Sequence, residues 1–133
     1  MKILVIDAHG GGAGKQLVIA LKAAIPDAMV VAVGTNSAAS QAMLKAGADK
    51  AATGENAVIV NCRNANLIIG PLGIVIADSM MGEITPAMAV AVAQSQAKRI
   101  LLPFNLCDNV VVGVNDFSLG KLISAAVEEA SKQ

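Results

Sequence analysis

Two hydrophobic patterns alternate along this chain. Continuous apolar runs at residues 3–6, 29–33, 67–69, 100–102 and 110–112 have the length and composition of strands buried on both faces. Between these runs, apolar residues recur at helical spacing over residues 17–25, 38–46, 53–62, 86–97 and 119–130. This alternation predicts an α/β fold: a single Rossmann-like three-layer domain with a mostly parallel sheet of about five strands.

The segment over residues 73–81 is ambiguous. Its IVIA run favours a strand by propensity, but only three residues separate it from the preceding strand. We therefore predict an apolar helix that begins near Leu72 and is ended by Gly82. The next helix begins with Thr85 as its N-cap and Pro86 in the first helical position.

The start of the chain predicts a phosphate-binding turn. The first strand is followed by four glycines within residues 10–14 and then by a helix. Glycine permits positive φ and a close approach of a ligand to the backbone, and a helix N-terminus attracts anions. Lys15 places a positive charge in the first turn of the helix, where the helix dipole disfavours it, and a bound anion would offset this repulsion. The alternative is that the Lys15 side chain extends into water.

Two known fingerprints overlap at this turn, and both are incomplete. For the dinucleotide motif GxGxxG, the best register places His9, Gly11 and Gly14 at the glycine positions, so the first glycine is missing. For a P-loop, GGAGK resembles the deviant Walker A motif of partition-type ATPases, but Gln16 stands where a magnesium-binding Ser or Thr belongs. An NTPase is therefore the less favoured interpretation.

The residues that follow the second strand do not identify the cofactor. The acidic residue that binds an NAD ribose is expected about 20 residues after the glycine turn. Thr35 and Asn36 follow the second strand instead, and they offer a hydroxyl and an amide to a ribose or a 2′-phosphate. The cofactor is unknown at this stage, with NAD(P) or another nucleotide as candidates.

Polar and turn residues follow the apolar runs repeatedly, and in a parallel sheet these positions share one edge where ligands bind. The alternative is that Gly, Pro and Asn simply end the strands. The predicted binding residues are Gly10, Gly11, Gly12, Ala13, Gly14, Lys15, Thr35, Asn36, Gly70 and Pro71. No catalytic residue and no metal site are assigned. Asp78, Glu83 and Asp108 are metal ligands only if the fold brings them together, and their spacing does not indicate this.

Composition and charge narrow the class of protein. A chain of 133 residues predicts one domain, and a net charge of +0 with a pI near 6.5 gives no electrostatic signature of nucleic-acid or membrane binding. No apolar segment reaches about 18 residues, and two cysteines are too few for a disulfide framework, so we predict a cytoplasmic protein. With 55% hydrophobic residues, we predict a homo-oligomer that buries the helix at 86–97 together with Met80 and Met81.

Four motifs carry a resemblance over nearly the whole chain. They are DxxGGGxGK at residues 7–15, IIGPLGI at 68–74, GEITPxMA at 82–89 and ILLPxNxC at 100–107. Together they resemble a small bacterial domain family of unknown function whose members have about this length. The resemblance implies a single Rossmann-like domain and implies no substrate.

Two functions of different kinds remain. In the first, the chain binds the phosphate of a nucleotide or dinucleotide at the glycine-rich turn after the first strand. In the second, it is a non-catalytic oligomeric interaction or regulatory protein that has a Rossmann-like fold. Whether the protein is an enzyme stays open.

Overall fold

The computed structural model describes residues 1–104, 107–116 and 118–133. The strands are β1 (Lys2–Asp7), β2 (Met29–Gly34), β3 (Lys50–Thr53), β4 (Leu67–Pro71) and β5 (Lys98–Leu102). The α-helices are α1 (Gly12–Ala24), α2 (Ser37–Lys45), α3 (Glu55–Cys62), α4 (Pro86–Gln94) and α5 (Leu119–Ser131). A short 3-10 helix, Leu72–Val75, follows β4.

The five strands form one sheet in the order β3-β2-β1-β4-β5. Every pairing is parallel, so the predicted fold class is confirmed and the sheet is more regular than expected. The chain builds outward from β1 to β3 and then returns to the other side of β1 to place β4. Strand order therefore reverses beside β1, which is where α/β sheets open a crevice for ligands.

Helices cover both faces of the sheet, and this explains why the central strands are apolar on both sides. Ile3 and Val5 of β1 pack in one cluster with buried residues of α1, α2 and α5. Leu4 and Ile6 pack in a second cluster with buried residues of α3 and α4. Because successive side chains of a strand point to opposite faces, each central strand contributes to both cores.

The sequence analysis missed β3. Its four residues, KAAT, are half-buried or exposed, as expected for a short strand at the edge of a sheet. With two alanines and no large apolar side chain, they carry no strand signal. The helix predicted from residue 53 is present as α3, but its N-cap is Gly54, and Thr53 belongs to the strand.

The strand predicted at residues 110–112 is wrong. None of these residues is in a strand, and Val110 and Val112 are 88% and 92% exposed. A run of three valines predicts a strand only when a neighbouring strand or helix covers it, because β-propensity mostly measures packing on a half-buried surface.

The apolar helix predicted from Leu72 to Met81 is also wrong beyond its first turn. The 3-10 helix ends at Val75, and Asp78, Met80 and Met81 have φ values of 65°, 55° and 57°, which no right-handed helix contains. The predicted helix at 86–97 ends earlier, at Gln94.

The predicted oligomer surface is only partly exposed. Met80 lies in the core and is 4% exposed, whereas Met81 is 96% exposed. Within the part of the chain that the structure describes, we find no helix with the length and hydrophobicity needed to cross a bilayer.

Candidate functional site

A cavity of about 240 Å³ lies at the carboxyl end of β1, and we call it the crevice. It is bounded by the end of β1, the start of α1, a residue just after β5 and the first residue of α5. Its lining consists of Asp7, Ala8, His9, Gly10, Gly12, Ala13, Gln16, Phe104 and Leu119. The sequence-based prediction of a site at this edge therefore corresponds to a real opening beside the strand where the order reverses.

Asp7 ends β1 and anchors the turn. Its two carboxylate oxygens accept hydrogen bonds from the backbone N–H groups of Ala8 at 2.8 Å and Gly14 at 2.6 Å. Burial raises the pKa of the Asp7 carboxyl, and the two N–H groups only partly offset this effect. The start of α1 thus already holds one internal carboxylate, bonded to the third N–H of the helix.

Two of the four glycines are required by packing. A Cβ on Gly11 would lie 2.9 Å from the Cα of Ala39, and Gly11 has φ of 74°. A Cβ on Gly14 would lie 2.5 Å from the Sδ of Met43 and 2.9 Å from the Cβ of Asp7. These glycines let the start of α1 approach β1 and α2, which is the role of the last glycine in dinucleotide-binding turns.

The other two glycines face open space. A Cβ on Gly10 or Gly12 would meet no atom within 4 Å, and both residues line the crevice. The backbone N–H groups of Gly12 and Ala13 have no acceptor within residues 1–104, 107–116 and 118–133. Two N–H groups at the start of α1 are therefore available to an anion in the crevice.

Glu83 joins three segments at the side of the crevice. Its Oε1 accepts from the backbone N–H of His9 at 3.0 Å, the Thr35 hydroxyl at 2.6 Å and the Asn36 amide at 2.8 Å. Its Oε2 lies 2.9 Å from Nδ1 of His9. Burial acts to raise the pKa of Glu83, but the hydrogen bonds from Thr35, His9 and Asn36 together lower it, so the carboxylate is held in its charged form.

Thr35 and Asn36, predicted to contact a ribose, are occupied by these internal contacts. Besides donating to Glu83, the Asn36 amide donates to the carbonyl of His9 at 2.8 Å, and its Oδ1 accepts from the N–H of Ala39, capping α2. Neither residue lines the crevice. Their observed role is to hold the loop after β1 against the start of α2.

The remaining predicted residues lie apart from the crevice. Lys15 is exposed and borders a separate cavity between α1 and α2, with Lys45 on its other side. Gly70 and Pro71 are buried at the end of β4, where a Cβ on Gly70 would lie 2.5 Å from the carbonyl oxygen of Ile6. Of the predicted binding residues, Gly10, Gly12 and Ala13 line the crevice. The others do not: Gly11, Gly14, Lys15, Thr35, Asn36, Gly70 and Pro71.

The sequence analysis did not find Glu83, Gln16 or Phe104 as site residues. In the sequence, Glu83 stands two residues before the N-cap Thr85, as an acid before a helix commonly does. Thr85 does cap α4, because its hydroxyl oxygen accepts from the N–H of Met88 at 3.2 Å. The same hydroxyl donates to Glu55, whereas Glu83 contacts His9. No spacing in the sequence signals a contact between residues 9 and 83.

Other reactive side chains are not gathered into a site. Within the described residues, no three His, Cys, Asp or Glu side chains form a group that would hold a metal, so Asp78, Glu83 and Asp108 do not converge. Cys62 is buried, and burial raises the pKa of its thiol to about 11. That thiol is therefore unreactive at neutral pH.

A second and larger cavity, of about 470 Å³, lies between α3 and α4. We call it the α3–α4 groove. Its lining is Ile59, Cys62, Arg63, Ala87, Val90, Ala91, Gln94, Ser95 and Gln96. Apolar side chains predominate, and Val90 is 50% exposed.

The chain was compared with known proteins. No curated protein matches the sequence. Among solved structures, the chain is similar to the dodecameric FMN-dependent UbiX-like decarboxylase from Escherichia coli O157:H7, with a TM-score of 0.51 and 19% sequence identity. The match covers 97% of this chain and 75% of that chain, and at this identity it shows a shared fold. The sequence model of a domain of unknown function, DUF3842, matches residues 2–133, and the chain therefore belongs to the DUF3842 family.

Proposed function

We propose that this protein binds the phosphate of a nucleotide-like small molecule in the crevice. The observation that carries the proposal is the pair of backbone N–H groups of Gly12 and Ala13. They have no hydrogen-bond acceptor among the described residues, and both residues line the opening where strand order reverses. Helix N-termini at this position of an α/β sheet are anion sites, because their N–H groups and the helix dipole both favour negative charge.

The volume of the crevice fits one part of a nucleotide-like ligand and not the whole molecule. Sites that enclose a drug-sized molecule have volumes of about 300–1,000 Å³. At about 240 Å³, the crevice has room for a phosphate and its sugar, with the rest of the ligand outside. Phe104 lines the crevice and is partly buried against the core, and its ring is the aromatic group there on which a base or a flavin ring would stack.

Five residues of the crevice lining are the proposed binding residues. Gly10, Gly12 and Ala13 supply open backbone, while Gln16 supplies a side-chain amide and His9 supplies Nε2 of its imidazole. The related fold of the E. coli decarboxylase, which is described as FMN-dependent, adds FMN to the candidate ligands.

A thermal-shift panel tests the proposal. The panel contains ATP, NAD, NADP, FAD, FMN, S-adenosylmethionine and inorganic phosphate. A ligand at 100 times its Kd is expected to stabilise the fold by about 2.7 kcal/mol, which raises the midpoint by several degrees. The absence of a shift with every compound at millimolar concentration would contradict the proposal.

Two variants locate the binding site. Gly12→Val places a branched side chain in the crevice, where the wild type has open space, so the shift is expected to disappear while the unliganded fold remains. Lys15→Ala tests the sequence-based assignment of Lys15. Because Lys15 borders a different cavity, we expect the shift to persist in this variant.

A separate observation favours self-association as a second function. The α3–α4 groove is larger than the crevice and mainly apolar, and Val90 in its lining is half exposed. We propose that another copy of this chain covers the groove. The E. coli decarboxylase that has a similar fold is described as dodecameric.

Light scattering at micromolar concentration tests this second proposal. Wild-type protein is expected to exceed the monomer mass of 13.4 kDa, and Val90→Lys is expected to reduce the measured mass. Ile19→Lys is the matched control, because Ile19 is also 50% exposed but lies on α1. A monomeric wild type would overturn the proposal.

A further inference from the structure

His9 is held at the crevice by two contacts with one carboxylate. Its Nδ1 lies 2.9 Å from Oε2 of Glu83, and its backbone N–H donates to Oε1 of Glu83 at 3.0 Å. The residue has φ of 51°, a left-handed conformation that non-glycine residues rarely adopt. Glu83 therefore fixes both the ring and the backbone of His9.

This arrangement selects one form of the imidazole. A carboxylate only accepts hydrogen bonds, so the hydrogen between the two side chains belongs to Nδ1 of His9. In the neutral ring the lone pair then lies on Nε2. Nε2 has no hydrogen-bond partner among the described residues, and His9 lines the crevice.

The other titratable group at the crevice is already engaged. His9 and Asp7 are the titratable side chains of the lining, and both oxygens of Asp7 accept backbone N–H groups. Gln16 does not titrate. His9 is therefore the side chain at the crevice that combines an unoccupied titratable atom with a fixed orientation.

We propose that His9 transfers a proton to and from the bound ligand through Nε2, with Glu83 as the positioning residue. This inference rests on the proposed function, since it needs a ligand in the crevice. In the step, the Nε2 lone pair takes a proton from an O–H or N–H of the ligand. The bonding electron pair stays on the ligand, the imidazolium is stabilised by Glu83, and the reverse step returns the proton.

The chain contains one histidine, so spectroscopy of histidine reads His9 directly. Nitrogen-15 NMR of histidine-labelled protein, at a pH where the ring is neutral, is expected to show hydrogen on Nδ1 and none on Nε2. Glu83→Met removes both acceptor oxygens and is expected to shift the population toward the Nε2–H form. Thr35→Val removes one donor to Glu83 but leaves the His9 contact, so it is the matched control with the wild-type tautomer.

A second measurement asks whether the ligand reaches Nε2. Diethyl pyrocarbonate modifies neutral imidazole nitrogen, and mass spectrometry assigns the modified residue. Inorganic phosphate, with ATP in parallel, is expected to slow modification of His9 about tenfold at ten times its Kd, because about one site in eleven remains free. His9→Gln removes the one histidine of the chain and is expected to abolish this signal, which assigns the modification to His9.

The outcomes separate the inference from the proposed function. A wild type with the Nε2–H tautomer would overturn the inference, and this result does not depend on a ligand or on the folding of a variant. A thermal shift without protection of His9 would overturn the inference and leave phosphate binding intact. The absence of a thermal shift with every compound of the panel, together with no protection of His9 by phosphate or ATP, would overturn the proposed function and the inference with it.

Discussion

The loop after β1 has a packed side and an open side, and the two sides differ in what glycine does there. On the packed side, Gly11 and Gly14 are small because Ala39, Met43 and Asp7 lie against them. On the open side, Gly10 and Gly12 have no neighbour within 4 Å of a Cβ position. Four glycines that look equivalent in the sequence therefore divide into two that the fold needs and two that leave room for a ligand.

The contrast between the packed side and the open side bears on where the proposed ligand binds. A phosphate cannot approach the packed side, since Asp7 already binds the N–H of Gly14 at 2.6 Å. The open side keeps the N–H groups of Gly12 and Ala13 free among the described residues. Substitutions on the packed side should therefore change stability, and substitutions on the open side should change binding.

The largest expected effect is from Gly11→Ala. A left-handed φ of 74° costs a non-glycine residue about 1–2 kcal/mol, and the approach of Cβ to 2.9 Å from the Ala39 backbone adds about 1–3 kcal/mol. Denaturant unfolding should thus show a loss of about 2–5 kcal/mol. Gly10→Ala is the matched control and should change stability by less than about 0.5 kcal/mol; an equal loss in both variants would remove the distinction between the two sides.

Asp7→Ala comes next, with an expected loss of about 2 kcal/mol. The N–H groups of Ala8 and Gly14 lose their acceptor in a buried position, where each unsatisfied donor costs about 1–3 kcal/mol. Relief from burying a carboxylate offsets part of this loss. Because the pKa of Asp7 is raised in the fold, its ionisation destabilises the protein as pH rises, so the loss should be greater at acidic than at neutral pH.

Glu83→Gln tests the attachment of His9 to the open side and should cost about 1 kcal/mol at neutral pH, since Glu83 is partly exposed. The folded pKa of Glu83 lies below its usual 4.5, so its stabilising contribution is present above that value and is lost as pH falls through the folded pKa. The difference between wild type and variant, measured by denaturant unfolding, should shrink once the pH falls below 4.5 and through the folded pKa of Glu83. A difference that grows in acid would contradict this assignment.

The smallest effect is expected from Gly12→Ala. Alanine lowers the entropy of the unfolded chain and favours the helix, so the free energy of unfolding should rise by about 0.5 kcal/mol. At the same time, the new methyl group stands in the crevice and should weaken any ligand-induced thermal shift. A destabilised Gly12→Ala would show that Gly12 belongs with the packed side.

Much of the fold was predictable, because the burial of both sheet faces leaves a direct signal in the sequence. Strands β1, β2 and β4 contain long apolar runs, β5 ends in the apolar run at residues 100–102, and α5 keeps its helical spacing throughout. Two of the failed predictions, at β3 and at residues 110–112, share one physical cause. In β3 and at residues 110–112, the structure depends on what covers a short segment, and residue type alone carries no record of that.

By itself, the sequence determined the α/β class, the turn after β1 and the edge of the sheet where a site would lie. Only the tertiary structure decided which residues line the crevice at that edge. It turned Lys15 away from the crevice, engaged Thr35 and Asn36 with Glu83, and brought Glu83 to His9 across 74 residues of chain. Helix and strand patterns are local and periodic, whereas contacts between distant loops depend on how the whole sheet places them.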